Sequence, residues 1–196
     1  RNILAEKSKF KINENKISYE KQSSMSAKSN LIIKAVKLIS KSNKGIIIVG
    51  GGIKYNSKYK IIIKLAKLLN IPIITAAGHG DAIPFDHKLN AGQMGPRGNP
   101  IASRLAKEAD VIIALGTRLG FNSTFYSYEN INKNAKIIQV ELEKKMLGRY
   151  FPISIGIHAD AALTANQLYK QIKKQKIVLN VKKWTNSYYK ERSKFL

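Results

Sequence analysis

The sequence predicts an α/β domain built on a mostly parallel sheet of about six strands, with helices on both faces. Two observations lead to this fold class. Short apolar runs, such as GIIIVG at residues 45–50 and ADVIIALG at residues 109–116, are continuous rather than alternating, which is typical of strands buried on both faces of a parallel sheet. Segments with helical spacing separate these runs, and that alternation favours right-handed βαβ crossovers and a doubly wound, Rossmann-like arrangement.

The predicted elements follow one another from Asn30 onward, where apolar positions begin to recur with helical spacing and Ser29 or Asn30 is a candidate N-cap. In chain order we expect a helix from Asn30, a strand at 45–50, a helix at about 57–69, a strand at 71–77, a very short strand near 89–91, a helix at 101–108, strands at 109–116, 135–142 and 153–160, and a helix from 161 to about 173. Pro72 is acceptable in the second strand because it lies at its beginning, where a missing N–H costs least. The long loop between the second and third strands, rich in Gly, Asp and Pro, has the length of a functional loop.

Composition narrows the function classes. The chain has 196 residues, of which 44% are apolar, enough to bury a full core in one domain of ordinary size. It contains no cysteine, which excludes disulfides, thiolate metal sites and a cysteine nucleophile. The sequence shows no apolar run near the ~18 residues of a membrane span. We therefore expect a cytoplasmic protein that does not enter the membrane.

The net charge of +23 arises from 35 Lys and Arg against 12 Asp and Glu. Such a value raises nucleic acid as a partner. The lysines are nevertheless scattered along every segment, without an arginine-rich tract or interleaved aromatic residues for base stacking. A coding bias toward Lys, Asn and Ile accounts for this pattern better than a selected polyanion site. Nucleic acid is therefore not expected as a partner, although a basic scaffold remains an alternative.

The carboxyl ends of the predicted strands form the candidate binding crevice, because ligands of such sheets bind there, near the point where the strand order reverses. The residues at these ends are Gly50, Gly51 and Gly52, then Thr75 to Gly78, then Gly116, Thr117 and Arg118, and finally Glu141 and Asp160. Glycine lets a backbone approach a diphosphate, a guanidinium meets its charge, and a carboxylate accepts from ribose hydroxyls. The glycines do not form the G-x-G-x-x-G pattern, since Lys54 and Tyr55 follow them. Two interpretations stay open: a nucleotide turn, or a turn that only packs tightly.

The order of GIIIVGGG, LAKLLNIPIITAAGHGDAIPFDHKLNAGQMGPRGNP, ADVIIALGTRLG, AKIIQVELEKKMLG and ISIGIHADA resembles the central domain of thiamine-diphosphate-dependent enzymes of the acetolactate synthase type. The resemblance covers roughly residues 30–174 and implies the DHS-like NAD/FAD-binding fold. Within that group, ALGTRLG and KMLGRYFPISIGIHADA are most similar to the sulfoacetaldehyde acetyltransferases.

The resemblance implies a division of labour between domains. Residues 1–29 would be a linker from a pyrimidine-binding domain, residues 30–175 the central domain, and residues 176–196 a helical linker toward a pyrophosphate-binding domain. Thiamine diphosphate and Mg²⁺ would be held by those flanking domains in a carboligase or acyltransferase that works as a homodimer or homotetramer. GHGDAI lacks the second glycine of the family's metal motif, so no metal is assigned to Asp81 and no catalytic residue is named.

The resemblance also implies that the central domain can hold FAD or ADP. The implied cofactor contacts are Gly50, Gly51, Gly52, Gly92, Met94, Gly116 and Arg118. FAD-binding members usually follow the arginine with an acidic pair and another arginine, whereas Leu119 and Gly120 follow Arg118 here. Retention and loss of FAD are both open, and a stand-alone FAD-, NAD- or ADP-binding module of the same fold is the alternative function.

Other conspicuous residues have simpler interpretations. The three histidines, His79, His87 and His158, do not form a metal-ligand spacing on one helix, so no metal is assigned to them. The late aromatic residues Trp184, Tyr188, Tyr189 and Phe195 recur with helix-like spacing. We expect them to pack against a neighbouring domain or subunit, as interface aromatics do.

Overall fold

Residues 25–54 and 58–194 are described by the computed structural model. They form an α/β domain in which strands and helices alternate along the chain. The elements are α1 (Ser29–Ile39), β1 (Gly45–Val49), α2 (Tyr59–Leu69), β2 (Ile73–Thr75), β3 (Asn90–Gln93), α3 (Pro100–Glu108), β4 (Val111–Leu115), α4 (Phe121–Thr124), β5 (Lys136–Glu141), β6 (Ile155–His158), α5 (Ala161–Lys174) and α6 (Lys182–Arg192). The fold class is confirmed, and each of the six predicted strands is present. Most of the predicted linker at residues 1–29 lies outside the described residues, and the domain boundaries stay a prediction.

The six strands are all parallel and lie in the order β3-β2-β1-β4-β5-β6. Every residue of the two central strands, β1 and β4, is buried, which explains why their sequences are continuous apolar runs. The chain builds the sheet outward from β1 in one direction as far as β3, and then returns to the other side of β1 with β4. The strand order therefore reverses between β1 and β4.

Helices cover the sheet through narrow apolar stripes. In α2 the buried side chains are Ile62, Leu65, Ala66 and Leu69, the spacing of one helical face. Helix α5 packs against α1 and α2, while α3 contacts β3 and α6. Among residues 25–54 and 58–194, no helix is both long enough and apolar enough to cross a membrane.

Local capping differs from the prediction at α1. The N-cap is Lys28, whose carbonyl accepts from the amides of Leu31 and Ile32. Ser29 is already the first helical residue, so the prediction that Ser29 or Asn30 caps this helix is wrong. Side-chain caps are found instead at α3, where Asn99 accepts from the Ile101 amide, and at α5.

Helix α6 lies across the amino-terminal ends of β1, β2 and β3. The indole Nε1 of Trp184 donates to the Gly45 carbonyl at 3.1 Å, and Thr185 Oγ1 donates to the Asn70 carbonyl at 2.6 Å. The Tyr188 hydroxyl lies 2.7 Å from the carbonyl oxygen of Lys88 and 3.0 Å from that of Asn90. We call Trp184, Thr185 and Tyr188 the α6 clasp.

The α6 clasp corrects one expectation. Trp184 and Tyr188 are 5% and 0% exposed and belong to the core of this domain, so the expectation that they pack against a neighbouring domain or subunit is wrong. Helical spacing predicts an apolar face but does not identify the surface that covers it. Tyr189 is partly buried against the same core, and Phe195 lies outside the described residues.

Candidate functional site

A cleft of about 630 Å³ lies at the carboxyl edge of the sheet, between the turns that follow β1 and β4. Its lining residues are Gly50, Gly51, Gly52, Ala76, Ala77, His79, Gly116, Thr117, Arg118, Gly120, Phe121, Asn122, Ser123, Tyr126 and Glu141. This is where the strand order reverses, the position at which open α/β sheets bind ligands. Its volume lies within the range of about 300–1,000 Å³ usual for small-molecule sites.

The structure brings together five of the seven predicted cofactor contacts. Gly50, Gly51, Gly52, Gly116 and Arg118 all line the cleft.

The other two contacts lie elsewhere. Gly92 lines a separate, much smaller pocket of about 50 Å³. Met94 is 1% exposed within the apolar core. The prediction for these two residues therefore gains no support from the geometry of the cleft.

Tight packing between two turns explains most of the glycines. A Cβ at Gly50 would lie 2.4 Å from the carbonyl oxygen of Gly116, and a Cβ at Gly52 would lie 2.8 Å from its Cα. Gly116 itself has φ +60, a left-handed conformation that glycine adopts without steric cost. The β1 and β4 turns can approach this closely only because all three positions lack a side chain.

The amides of the same glycines are already used inside the protein. Gly50 N–H donates to the Leu115 carbonyl at 3.1 Å, Gly52 N–H to the Gly116 carbonyl at 3.1 Å, and Gly116 N–H to the Val140 carbonyl at 3.0 Å. A phosphate cradle needs amides that point at the ligand. Three of the expected amide donors are therefore used within the protein, so side chains would take a larger part in holding an anion.

His79 is one such side chain, and it lies over Gly51, where an added Cβ would be 2.9 Å from the ring. Burial and the nearby positive charge of Lys54 lower the pKa of His79, with Asp81 opposing them in part. Lys54 Nζ lies 2.8 Å from Asp81 Oδ2, and the hydrogen bond from Lys54 is the main reason that the pKa of Asp81 is lowered. The imidazole is therefore neutral near pH 7, and its Nδ1 has no partner among the described residues.

Two carboxylates at strand ends have different roles. Glu141, at the end of β5, lines the cleft, and its Oε1 accepts from the Leu142 amide at 2.9 Å. Asp160 was a second candidate acceptor for ribose hydroxyls, and this interpretation is wrong. Its carboxylate caps α5 through the amides of Ala162 and Leu163 and lies 2.6 Å from Lys58 Nζ, so it serves the helix rather than the cleft.

The charge state of Asp160 fits this structural role. Burial alone would raise its pKa, but the hydrogen bonds from Lys58 and from the amides of Leu163 and Ala162 outweigh that effect, and the pKa is lowered. The carboxylate is thus charged at neutral pH, which strengthens its bonds at the helix N-terminus.

The sequence analysis missed a group of aromatic side chains at the mouth of the cleft. The ring centroids of Phe121 and Phe125 lie 5.0 Å apart, those of Phe121 and Tyr126 lie 5.5 Å apart, and Tyr126 stacks on Tyr150 at 4.4 Å. We call Phe121, Phe125, Tyr126 and Tyr150 the aromatic wall. The aromatic-rich segment FNSTFYSY directly after GTRLG was the signal that could have located it.

The three histidines lie apart. His79 lines the cleft, His87 Nδ1 accepts from the Leu89 amide at 3.2 Å, and His158 Nε2 lies 2.8 Å from the Leu142 carbonyl oxygen. In the described part of the chain, no three His, Cys, Asp or Glu residues come together in a way that could hold a metal ion.

Two comparisons with known proteins, one with family models and one with individual proteins, agree with each other. Residues 32–168 match the family described as "Thiamine pyrophosphate enzyme, central domain". The sulfoacetaldehyde acetyltransferase of Castellaniella defragrans is 34% identical over 151 residues, which cover 76% of this chain and 25% of the relative.

Relatives with other named activities also match this chain. A probable acetolactate synthase large subunit of Methanococcus aeolicus is 32% identical over 141 residues, covering 72% of this chain and 23% of that protein. The 3D-(3,5/4)-trihydroxycyclohexane-1,2-dione hydrolase of Geobacillus thermodenitrificans is 33% identical over 132 residues, covering 67% and 20%. The chain thus spans about a quarter or less of the length of these relatives.

Proposed function

Because the chain belongs to the central-domain family of thiamine pyrophosphate enzymes, we propose that it serves as the central domain of a thiamine-diphosphate-dependent carboligase or acyltransferase. The observation that carries this proposal is the family match over residues 32–168, supported by relatives named as an acetyltransferase and as acetolactate synthase large subunits. A stand-alone nucleotide-binding module is the weaker hypothesis, since these relatives contain the matching segment as a minor part of a longer enzyme.

In this proposal the flanking pyrimidine- and pyrophosphate-binding domains hold thiamine diphosphate and Mg²⁺. The thiazolium of that cofactor stabilises carbanions when it is bound. The described residues offer no cluster of three metal-binding side chains, so we assign them no metal-dependent step. Their contribution is a rigid parallel sheet with a cleft at its carboxyl edge.

A direct test uses the natural gene product. We expect a polypeptide that contains this chain together with both flanking domains, and that consumes a 2-keto acid or a related aldehyde only when thiamine diphosphate and Mg²⁺ are added. The matched control is the 196-residue chain alone, which should be inactive under the same conditions. A natural product without thiamine-dependent turnover would contradict the proposal.

We further propose that the cleft holds a nucleotide, either ADP or FAD, in support of the structure rather than of the chemistry. Arg118 and His79 line the cleft and can bind a phosphate, while the Glu141 carboxylate can accept a hydrogen bond from a ribose hydroxyl. The commitment of the Gly50, Gly52 and Gly116 amides makes these side chains the main determinants. The location of Gly92 and Met94 outside the cleft favours the smaller ADP over FAD.

Two measurements test the nucleotide proposal. Bound FAD would give a flavin absorbance band in freshly purified protein, and ADP added at about 100 times its Kd would stabilise the fold by about 2.7 kcal/mol, seen as a higher Tm. A colourless protein whose Tm ignores both ligands would contradict it.

The remaining assignments extend the family proposal. We propose a homodimeric or homotetrameric parent enzyme in the cytoplasm, without a role for membrane or nucleic acid. Light scattering of the natural product tests the assembly. Titration with duplex DNA at two salt concentrations tests the alternative basic scaffold, which predicts steeply salt-dependent binding.

A further inference from the structure

Two of the four rings of the aromatic wall are exposed in the cleft. Phe121 and Tyr126 are 51% and 48% exposed, and both line the cleft. Contiguous exposed aromatic surface in a concave site is typical of a binding surface. The wall therefore needs an explanation beyond packing of the core.

The rings of the wall hold one another in place. Tyr126 and Tyr150 stack with an interplanar angle of 27°, and Phe121 lies against Tyr126 at an angle of 56°. The guanidinium of Arg149 lies 5.7 Å from the centre of the Tyr150 ring, a cation–π distance. The Tyr126 ring is thus oriented by neighbours before any ligand arrives.

The backbone beneath the wall is strained. Phe125 and Tyr126 have φ of 50 and 56, the left-handed region that bulky residues rarely occupy. Thr124 fixes this turn: its hydroxyl donates to the Leu119 carbonyl at 3.0 Å and accepts from the Tyr126 amide at 3.2 Å. Strained conformations that surrounding bonds over-determine cluster at ligand sites.

The rest of the cleft supplies groups that match a nucleotide. Glu141 provides a fixed carboxylate, Arg118 a guanidinium and His79 a neutral imidazole. Together with an aromatic surface, these are the partners of a sugar hydroxyl, a phosphate and a planar base.

We propose that the aromatic wall binds the base of a nucleoside diphosphate by stacking, with Tyr126 as its main contact and Phe121 beside it. This inference rests on the nucleotide proposed for the cleft and adds the side chains that select it. Affinity then comes mainly from the base and its stacking surface, because the amides of Gly50, Gly52 and Gly116 are bonded within the protein.

The test is isothermal titration of the purified full chain with ADP and, separately, with inorganic pyrophosphate. Stacking of one base contributes about 1–3 kcal/mol, so Tyr126→Ala should weaken ADP binding by about 5- to 150-fold. Tyr126→Phe keeps the ring and should retain the wild-type affinity for ADP. Pyrophosphate, which has no base, should bind the wild type and Tyr126→Ala equally.

Tyr128→Ala is the matched control. Tyr128 is 45% exposed, but its ring packs on Phe151 and lines a different pocket, so its removal should leave ADP affinity unchanged. Phe121→Ala provides a second variant of the wall, with a smaller expected loss, and urea unfolding of each variant verifies that it folds.

The outcomes separate this inference from the proposal beneath it. If ADP binds the wild type, Tyr126→Ala and Phe121→Ala with equal affinity, or if Tyr128→Ala weakens it as much as Tyr126→Ala, the wall is not the base site although the cleft still holds a nucleotide. If neither ADP nor FAD binds the wild type, the nucleotide proposal and this inference both fail.

Discussion

Aromatic side chains serve opposite purposes at the two edges of this sheet. At the amino edge, Trp184 and Tyr188 of the α6 clasp are buried, and their polar atoms bond to backbone carbonyls. At the carboxyl edge, Phe121 and Tyr126 of the aromatic wall are half-exposed, and the turn that carries them is left-handed. The comparison teaches that the same residue types stabilise the fold most where burial and hydrogen bonding accompany them.

The largest difference should appear on removal of an aromatic ring from each edge. Trp184→Ala loses a buried indole, its bond to the Gly45 carbonyl and the cation–π contact with Arg104, so we expect a loss of about 3–5 kcal/mol in the free energy of unfolding. Phe121→Ala removes a ring that is already half in water and should cost less than about 1.5 kcal/mol. Urea unfolding measures both values, and equal losses would show that the two edges do not differ as described.

A second comparison concerns two glycines of the cleft. Gly50→Ala would place a Cβ 2.4 Å from the Gly116 carbonyl oxygen, whereas nothing lies within 4 Å of a Cβ at Gly120. We expect Gly50→Ala to destabilise the protein by about 1–3 kcal/mol or more, because the packed turns must move apart.

Gly120→Ala is the matched control for this pair. Its φ of −75 is accessible to alanine, so the change should be neutral or stabilise by up to about 1 kcal/mol, through the unfolded chain. If Gly50→Ala leaves the stability unchanged, the β1 turn can move away from Gly116. The interpretation of this turn as a phosphate cradle would then be open again.

A third prediction tests the polar end of the clasp. Tyr188→Phe keeps the ring but removes the hydroxyl that bonds to the Lys88 or Asn90 carbonyl. Leaving buried carbonyls without their donor should cost about 1–3 kcal/mol. Urea unfolding at neutral pH checks this value, and the matched change at the wall, Tyr126→Phe, should lower the unfolding midpoint by much less, because Tyr126 is 48% exposed.

The pH dependence of the same residue gives an independent check. Burial raises the pKa of Tyr188, so the folded state keeps a proton that the unfolded state releases above about pH 10. The contribution of Tyr188 to the free energy of unfolding is therefore fully present below that pH and declines as the pH rises above it. The advantage of the wild type over Tyr188→Phe should shrink as the pH rises from about 10 to about 12, and an advantage that grows would contradict the assignment.

Much of the fold could be predicted because burial on both faces leaves a direct mark on a sequence. GIIIVG and VIIALG are apolar at every position, and β1 and β4 are buried at every position. The crevice could be predicted from the general behaviour of strand ends, and five of the seven residues named as cofactor contacts line it. The tight contact of Gly50 with Gly116 could not, because it depends on which two turns become neighbours.

The aromatic residues mark the limit of sequence analysis most clearly. Helical spacing identified the apolar face of α6 but could not show that β1 to β3 of the same domain cover it. The left-handed conformation of Phe125 and Tyr126 was equally hidden, since turn rules place glycine or asparagine at such positions. Asp160 was misassigned because a carboxylate at a strand end is equally a cap for the helix that follows.

The smallest predicted effect is an inversion, between two positions, of the stability order of glycine and alanine variants. At Lys183, an exposed position in α6, the variant Lys183→Gly should be less stable than Lys183→Ala by about 1 kcal/mol, because glycine is the poorer helix former. At Phe125, with φ 50, the order should invert: alanine retains the left-handed strain of about 1–2 kcal/mol and glycine relieves it. Both variants lose the same contact with Phe121, so their difference isolates the backbone. Urea midpoints of the four variants measure the inversion. If Phe125→Gly is less stable than Phe125→Ala, the turn beneath the wall is not strained, and the wall loses one of the observations that mark it as a binding surface.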